Sequence, residues 1–177
     1  MKCLAIIYDG FEELEAVAPF ALLRRAKIEL DIASNKAFAT GCHDIKIDNL
    51  LNLNDVDYKG YDCLILPGGP HYKIVRCEDK TIEIIKYFRD NNKPTCAICA
   101  LPTILGDLGY LKDKNYTCFT SMDKDFGGTY HHQKVVVDGN LITARSADAA
   151  IDFAYEIVRL LLGEEELSKL HKQVYHE

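Results

Sequence analysis

The run Pro94-Thr-Cys-Ala-Ile-Cys-Ala-Leu-Pro-Thr103 places Cys99 at the end of an apolar, strand-like stretch with helix-like sequence directly after it. A sharp strand-to-helix turn of this kind lifts one side chain out of a sheet and aims backbone N–H groups at it, the arrangement of a nucleophile elbow. A thiol held there sits near the positive end of a helix dipole, which favours thiolate and predicts reactivity at neutral pH. Pro67-Gly68-Gly69-Pro70 lets backbone approach closely. Gly68 and Gly69 can then present one N–H to a developing oxyanion and Ala100 the other. The same four residues also read as a plain tight turn.

Three glutamates, Glu12, Glu13 and Glu15, follow the first apolar run. Glu15 falls on the side of Val17 and Ala18, pointing inward, whereas Glu12 and Glu13 suit a solvated first helical turn. A carboxyl buried beside a thiol should have a raised pKa and serve as general acid and base, although a glutamate taken at random is far more often solvated. Cys96 and Cys99 form a C-x-x-C, but Cys96 lies within the strand and, three residues away, should face the opposite side of the sheet, so it reads as core. His131-His132 are adjacent and diverge, and no pairing of histidines and cysteines has zinc-site spacing, so neither metal nor organic cofactor is expected. His71, just past Pro70, is placed to border a pocket.

These residues need elements to hold them. Cys3 to Tyr8, Asp62 to Leu66 and Thr95 to Ile98 are apolar on both faces, and each is followed by a turn and a helical pattern. That is the signature of an α/β fold, a mostly parallel sheet covered by helices on both sides, with ligands gathered at the carboxyl ends of the strands. Glu12 to Ala26 is helical with Pro19 implying a kink, and Ile28 to Ala33 returns as a strand. Ile82, Ile85 and Phe88 mark another helix. Lys134 to Val137 and Leu141 to Ala144 flank Asp138-Gly139-Asn140 as a β-hairpin. Ala147 to Leu162 is the strongest helix, ended by Gly163, and Glu164 to Glu177 reads as a short surface helix with a frayed tail.

With 177 residues, 48% hydrophobic and 27% charged, the chain fits one domain spanning 1–177. A net charge of −6 with no basic cluster excludes a general nucleic-acid binder. The apolar run after Met1 is too short to span a bilayer and lacks a signal-peptide cleavage region, so no membrane partner and a cytoplasmic location are expected. Seven scattered cysteines fit reduced thiols better than a disulfide framework.

Several motifs in order resemble the ThiJ/PfpI superfamily in its DJ-one branch. They are Asp9-Gly-Phe-Glu-Glu-Leu-Glu15, Leu23-Arg-Arg-Ala26, Leu66-Pro-Gly-Gly69, Ala97-Ile-Cys-Ala100 with Pro102, and Asp138-Gly139 before Leu141-Ile-Thr-Ala-Arg145. The resemblance implies a flavodoxin-like three-layer sandwich, a homodimer and no cofactor. It also implies a nucleophilic Cys99 held by a protonated Glu15, with Gly69 and Ala100 as oxyanion donors. Activities in that superfamily include cofactor-free glyoxalase, deglycation, peptidase action in the PfpI branch, and oxidative-stress sensing through a cysteine sulfinate.

The chain departs from that pattern at informative places. Ala100 stands where the peptidases have histidine, which disfavours a peptidase. Phe119 occupies the position of the usual third partner, a histidine, leaving His71 or the His131-His132 pair as substitutes. Leu101 replaces a glycine and is expected to crowd the nucleophile, and Arg145-Ser-Ala-Asp148 replaces Arg-Gly-Pro-Gly at the pocket and interface. The reading is a cysteine-dependent enzyme acting on small aldehydes or glycated substrates. The alternative is a non-enzymatic oxidative-stress sensor or chaperone-like protein.

Overall fold

The computed structural model describes residues 1–175. In chain order the first half contains β1 (Lys2–Ile6), α1 (Glu13–Arg25), β2 (Glu29–Ser34), and the short strands β3 (Phe38–Thr40), β4 (Lys46–Asp48) and β5 (Leu51–Asn52). Next come β6 (Cys63–Leu66), α2 (Tyr72–Val75), α3 (Asp79–Asp90), β7 (Thr95–Ile98) and α4 (Pro102–Asp107). The remainder comprises β8 (Asn115–Tyr116), β9 (Thr129–Tyr130), β10 (Val135–Asp138), β11 (Leu141–Ala144), α5 (Ala150–Leu162) and α6 (Glu164–Val174).

Side chains alternate across a strand, so a strand apolar at every position must be buried on both faces. In β1 and just beyond it, Cys3, Ala5 and Ile7 enter one core cluster while Leu4, Ile6 and Tyr8 enter the other. The first cluster is completed by α1, α5 and α6 through Phe20, Leu23, Phe153, Ile157, Leu167 and Leu170. The second takes Ile84, Ile85 and Phe88 from α3 and Ile104 and Leu105 from α4. The result is the three-layer, flavodoxin-like arrangement.

The main sheet runs β10-β11-β7-β6-β1-β2-β5. Its pairings are parallel except β10–β11, the expected hairpin, which pairs Val135 with Ala144 and Asp138 with Leu141. After β1 the chain moves outward to β2, then returns to the other side of β1 for β6 and β7. The strand order therefore reverses between β1 and β6, and a crevice opens there at the carboxyl ends.

Differences from the sequence reading are local. β3, β4, β5, β8 and β9 are two or three residues long, too short to leave a periodic signal. The helix expected from Ala147 begins as a 3-10 turn over Ala147–Ala149 before α5 proper. α6 is docked rather than merely superficial, since Leu167 and Leu170 are fully buried. The frayed tail expected after it extends over residues 176–177, outside the described residues. α1 continues through Pro19, which has no N–H to give the Glu15 carbonyl one turn back. No helix among the described residues is long and apolar enough to cross a membrane.

Candidate active site

Cys99 follows β7 directly and has φ +65°, a left-handed conformation that costs a non-glycine residue energy and persists only where its surroundings hold it. They do so on both sides. The Cys99 N–H donates to the Ala144 carbonyl at 2.9 Å, and the Phe119 N–H donates to the Cys99 carbonyl at 2.7 Å. The amides of Gly69 and Ala100 are directed at the sulfur. Gly69 has φ +109°, and a Cβ built on Gly68 would run into the Glu15 carboxyl, the Cys99 Cβ and the Ile98 carbonyl. Only glycine allows this approach.

The three loops converge through backbone bonds. Glu12 N–H donates to the Gly68 carbonyl at 2.8 Å and His71 N–H to the Gly10 carbonyl at 3.1 Å. Glu12 caps α1, its Oε2 accepting the Glu15 N–H at 2.8 Å. Glu15 itself is 1% exposed. Burial pushes its carboxyl up to about 8 and the Glu12 charge adds to this, against opposing interactions with the Cys99 thiol and the Gly68 amide. Its Oε2 makes no well-formed hydrogen bond. The Cys99 thiol is also pushed up, first by burial and then by the Glu15 charge, with the Gly69 and Ala100 amides pulling it down. This reverses the thiolate-favouring expectation. The helix that was to supply the dipole, α4, is six residues long and starts three residues past the sulfur.

A cavity of about 460 Å³ opens over this group, with Cys99, Glu15, Gly69 and Ala100 at its base and Phe119 and Met122 in its wall. Tyr72, Lys73 and Asp148 also line it. The first two were missed in the sequence, though their place at the start of the helix after Pro70 was a usable signal. A larger hollow of about 550 Å³ beside the start of β1 holds the Lys2–Asp31 ion pair but no cysteine.

The DJ-1/PfpI family model matches residues 1–160. The chain belongs to the DJ-1/PfpI family. It is 33% identical over 166 residues to the putative cysteine protease YraA of Bacillus subtilis, covering 90% of this chain and 98% of that one. It is likewise 33% identical over 165 residues to deglycase TK1284 of Thermococcus kodakarensis, covering 91% and 99%. The structure of Drosophila melanogaster DJ-1beta superposes with a TM-score of 0.90 at 29% identity, covering 98% and 97%.

Within this DJ-1/PfpI fold, several residues singled out in the sequence lie away from the cavity. His71 is 1% exposed. Its Nδ1 accepts the Tyr8 N–H at 3.2 Å, so Nε2 carries the proton and donates to the Pro67 carbonyl at 2.8 Å. Burial lowers its pKa to about 4. It ties the end of β1 to the Gly68 turn instead of bordering the pocket. His131 Nε2 sits 2.7 Å from Asn115 Oδ1, and His132 Nε2 lies 3.2 Å from Arg145. Among the described residues no histidine lines the cavity.

Leu101 does not crowd the nucleophile. It is fully buried among Ile104 and Leu105 on the α3–α4 side, because the turn at Cys99 sends its side chain under the sheet. The same turn defeats the strand argument for Cys96. Both Cys96 and Cys99 pack on the α1–α5 cluster, and Cys96 is core, with Sγ 3.7 Å from that of Cys63. Glu13, expected in solvent, is 6% exposed beneath a loop at residues 41–45.

Proposed function

We propose that the protein is a cofactor-free enzyme that uses Cys99 to process reactive α-oxoaldehydes or the early glycation adducts they form. The observation that carries this reading is the strained Cys99 with two amides on its sulfur and a buried Glu15 beside it, all at the base of one cavity. The sulfur adds to the aldehyde carbon and the C=O π bond opens, with the oxygen stabilised by the Gly69 and Ala100 amides and then protonated to give a hemithioacetal. Glu15 takes the proton from the former aldehyde carbon and returns it to the adjacent carbon, while the hemithioacetal hydroxyl proton passes to that carbon's oxygen, so the enediol formed between the two steps collapses to a thioester. Water then releases a 2-hydroxy acid and restores the thiol, so the net change is addition of one water. No external oxidant or reductant is consumed. The Thermococcus relative carries the name deglycase, in line with such substrates.

The test is methylglyoxal consumption with detection of the hydroxy acid. Cys99→Ala should remove turnover while circular dichroism and thermal unfolding stay close to wild type, and wild-type-level turnover in that variant would sink the proposal. Peptide hydrolysis is disfavoured on the same grounds, since a histidine general base is missing from the cavity lining among the described residues.

That missing histidine favours a second reading, a sensor in which Cys99 is oxidised to the sulfinate and held by Glu15 and the elbow amides. Mild peroxide should add two oxygens at Cys99 alone, and no site-selective oxidation by intact mass would remove this reading. We further take the protein to be a cytoplasmic homodimer. Its seven cysteines are scattered without disulfide-framework spacing, which suits a reducing compartment. Leu14 and Val17 are exposed on one side of α1, and exposed Ile45 has its amide on Glu13 beside them. Leu14→Glu should yield monomers in sedimentation, and a wild type that is monomeric at every concentration would refute the dimer.

A further inference from the structure

Three potential metal ligands, the adjacent Cys42 and His43 and, 29 residues before them, Glu13, meet at the start of α1. Glu13 Oε2 lies 2.9 Å from His43 Nδ1 and 3.6 Å from Cys42 Sγ, and the last two atoms are 3.3 Å apart. We propose that Glu13, Cys42 and His43 form a binding site for a borderline divalent cation, zinc in particular, distinct from the Cys99 cavity and independent of the reaction proposed there.

The ligand types suit that ion: one thiolate, one imidazole and one carboxylate. Tetrahedral zinc with Zn–S of about 2.3 Å and Zn–N and Zn–O of about 2.0–2.2 Å separates its ligand atoms by about 3.4–3.6 Å. The observed triangle of 2.9, 3.3 and 3.6 Å needs to open by only a few tenths of an ångström along two edges.

The carboxylate is also divided in the way a ligand must be. Oε1 accepts the His43 and Ile45 amides at 2.7 and 3.3 Å, which fixes the group, while Oε2 is turned toward the thiol and the ring. The loop carrying Cys42 and His43 is tied down in turn. Gly41 N–H donates to the Ile45 carbonyl at 2.9 Å, and Cys42 N–H to the Phe11 carbonyl at 2.8 Å. A Cβ on Gly41 would collide with the Glu13 carboxyl, so glycine lets the loop close over its ligand.

Charge and access agree. Among the described residues, the ion-pair partner of both Glu12 and Glu13 is His43, and no lysine or arginine neutralises them. Cys42 and His43 are exposed, so the open side of the triangle faces water and leaves room for a solvent ligand. Binding converts the Cys42 thiol to thiolate and releases its proton to solvent.

The full-length protein, stripped with chelator and titrated with Co²⁺, gives a direct readout, because thiolate coordination produces a near-ultraviolet charge-transfer band. One Co²⁺ per chain, a thiolate band and displacement by Zn²⁺ are expected. Cys42→Ser should abolish the band, His43→Ala should weaken binding at least tenfold, and Cys99→Ala should leave the band intact. Both loop side chains are exposed, so those variants keep the fold even if Glu13→Gln does not. No thiolate band in the wild type overturns the proposal, as does a band that survives Cys42→Ser or vanishes in Cys99→Ala.

Discussion

Glu15→Gln isolates the electrostatic cost of the buried Glu15 carboxyl, because the amide matches the protonated acid in shape and cannot ionise. Burial moves the Glu15 pKa from an ordinary 4.5 to about 8. A raised folded-state value means that the native protein keeps a proton which the unfolded chain releases, so stability falls as pH rises from about 4.5 to about 8 and levels off above. Two-state linkage puts the penalty on the order of 3 kcal/mol at pH 7, and the loss over the whole interval from pH 6 to pH 9 at about 2.5 kcal/mol. Denaturant unfolding of wild type and Glu15→Gln at pH 6, 7, 8 and 9, with chelator present, measures this. The variant's stability relative to wild type should climb by about 2.5 kcal/mol over that range, whereas parallel pH profiles would show that Glu15 ionises normally and would refute the account of its burial.

Gly68→Ala drives a methyl group into the Glu15 carboxyl and the Ile98 carbonyl, and should cost about 1–3 kcal/mol while slowing alkylation of Cys99. Leu101→Ala opens a hole beside Ile104 and Leu105, for which unfolding should register a loss of about 2–5 kcal/mol. The Cys99 alkylation rate should remain at the wild-type value, and a faster rate would return Leu101 to the cavity mouth. His71, lowered to about 4 by burial, stays neutral where an unfolded imidazole takes a proton near 6.5. Stability present above that pH should therefore fall by about 3 kcal/mol as the pH drops to 4. An imidazole NMR resonance of His71 that titrates near 6.5 in the folded protein would contradict this.

The fold was legible wherever burial is two-sided. Continuous apolar runs such as Cys3 to Tyr8 can satisfy alternation only inside a covered parallel sheet, and the Asp138-Gly139 turn fixes the hairpin beside it. Legibility stopped where a side chain's direction depends on one backbone angle or on a distant loop. At Cys99 the left-handed φ cancels the two-residue period, so Leu101 and Cys96 could not be oriented from their spacing. Glu13 looked like an ordinary first-turn glutamate because the loop that buries it begins 28 residues later. His71 looked like a pocket residue because its partners are the Tyr8 amide and the Pro67 carbonyl, groups that every sequence has and none displays.

The same contrast bears on the reactivity proposed for Cys99. Position at an elbow suggests a thiolate, but α4 is too short to supply much dipole, and burial together with an ionised Glu15 works the other way. Those opposing effects are linked through one proton. While Glu15 stays protonated, its charge is absent from the site, and the Gly69 and Ala100 amides act on the sulfur without an anionic neighbour. Once Glu15 ionises near pH 8, its charge discourages thiolate formation just where a free cysteine would begin to titrate. Cys99 alkylation should consequently rise less steeply above pH 8 in wild type than in Glu15→Gln. In the proposed reaction it is then the buried carboxyl, and not the strand-to-helix turn alone, that sets the working pH range.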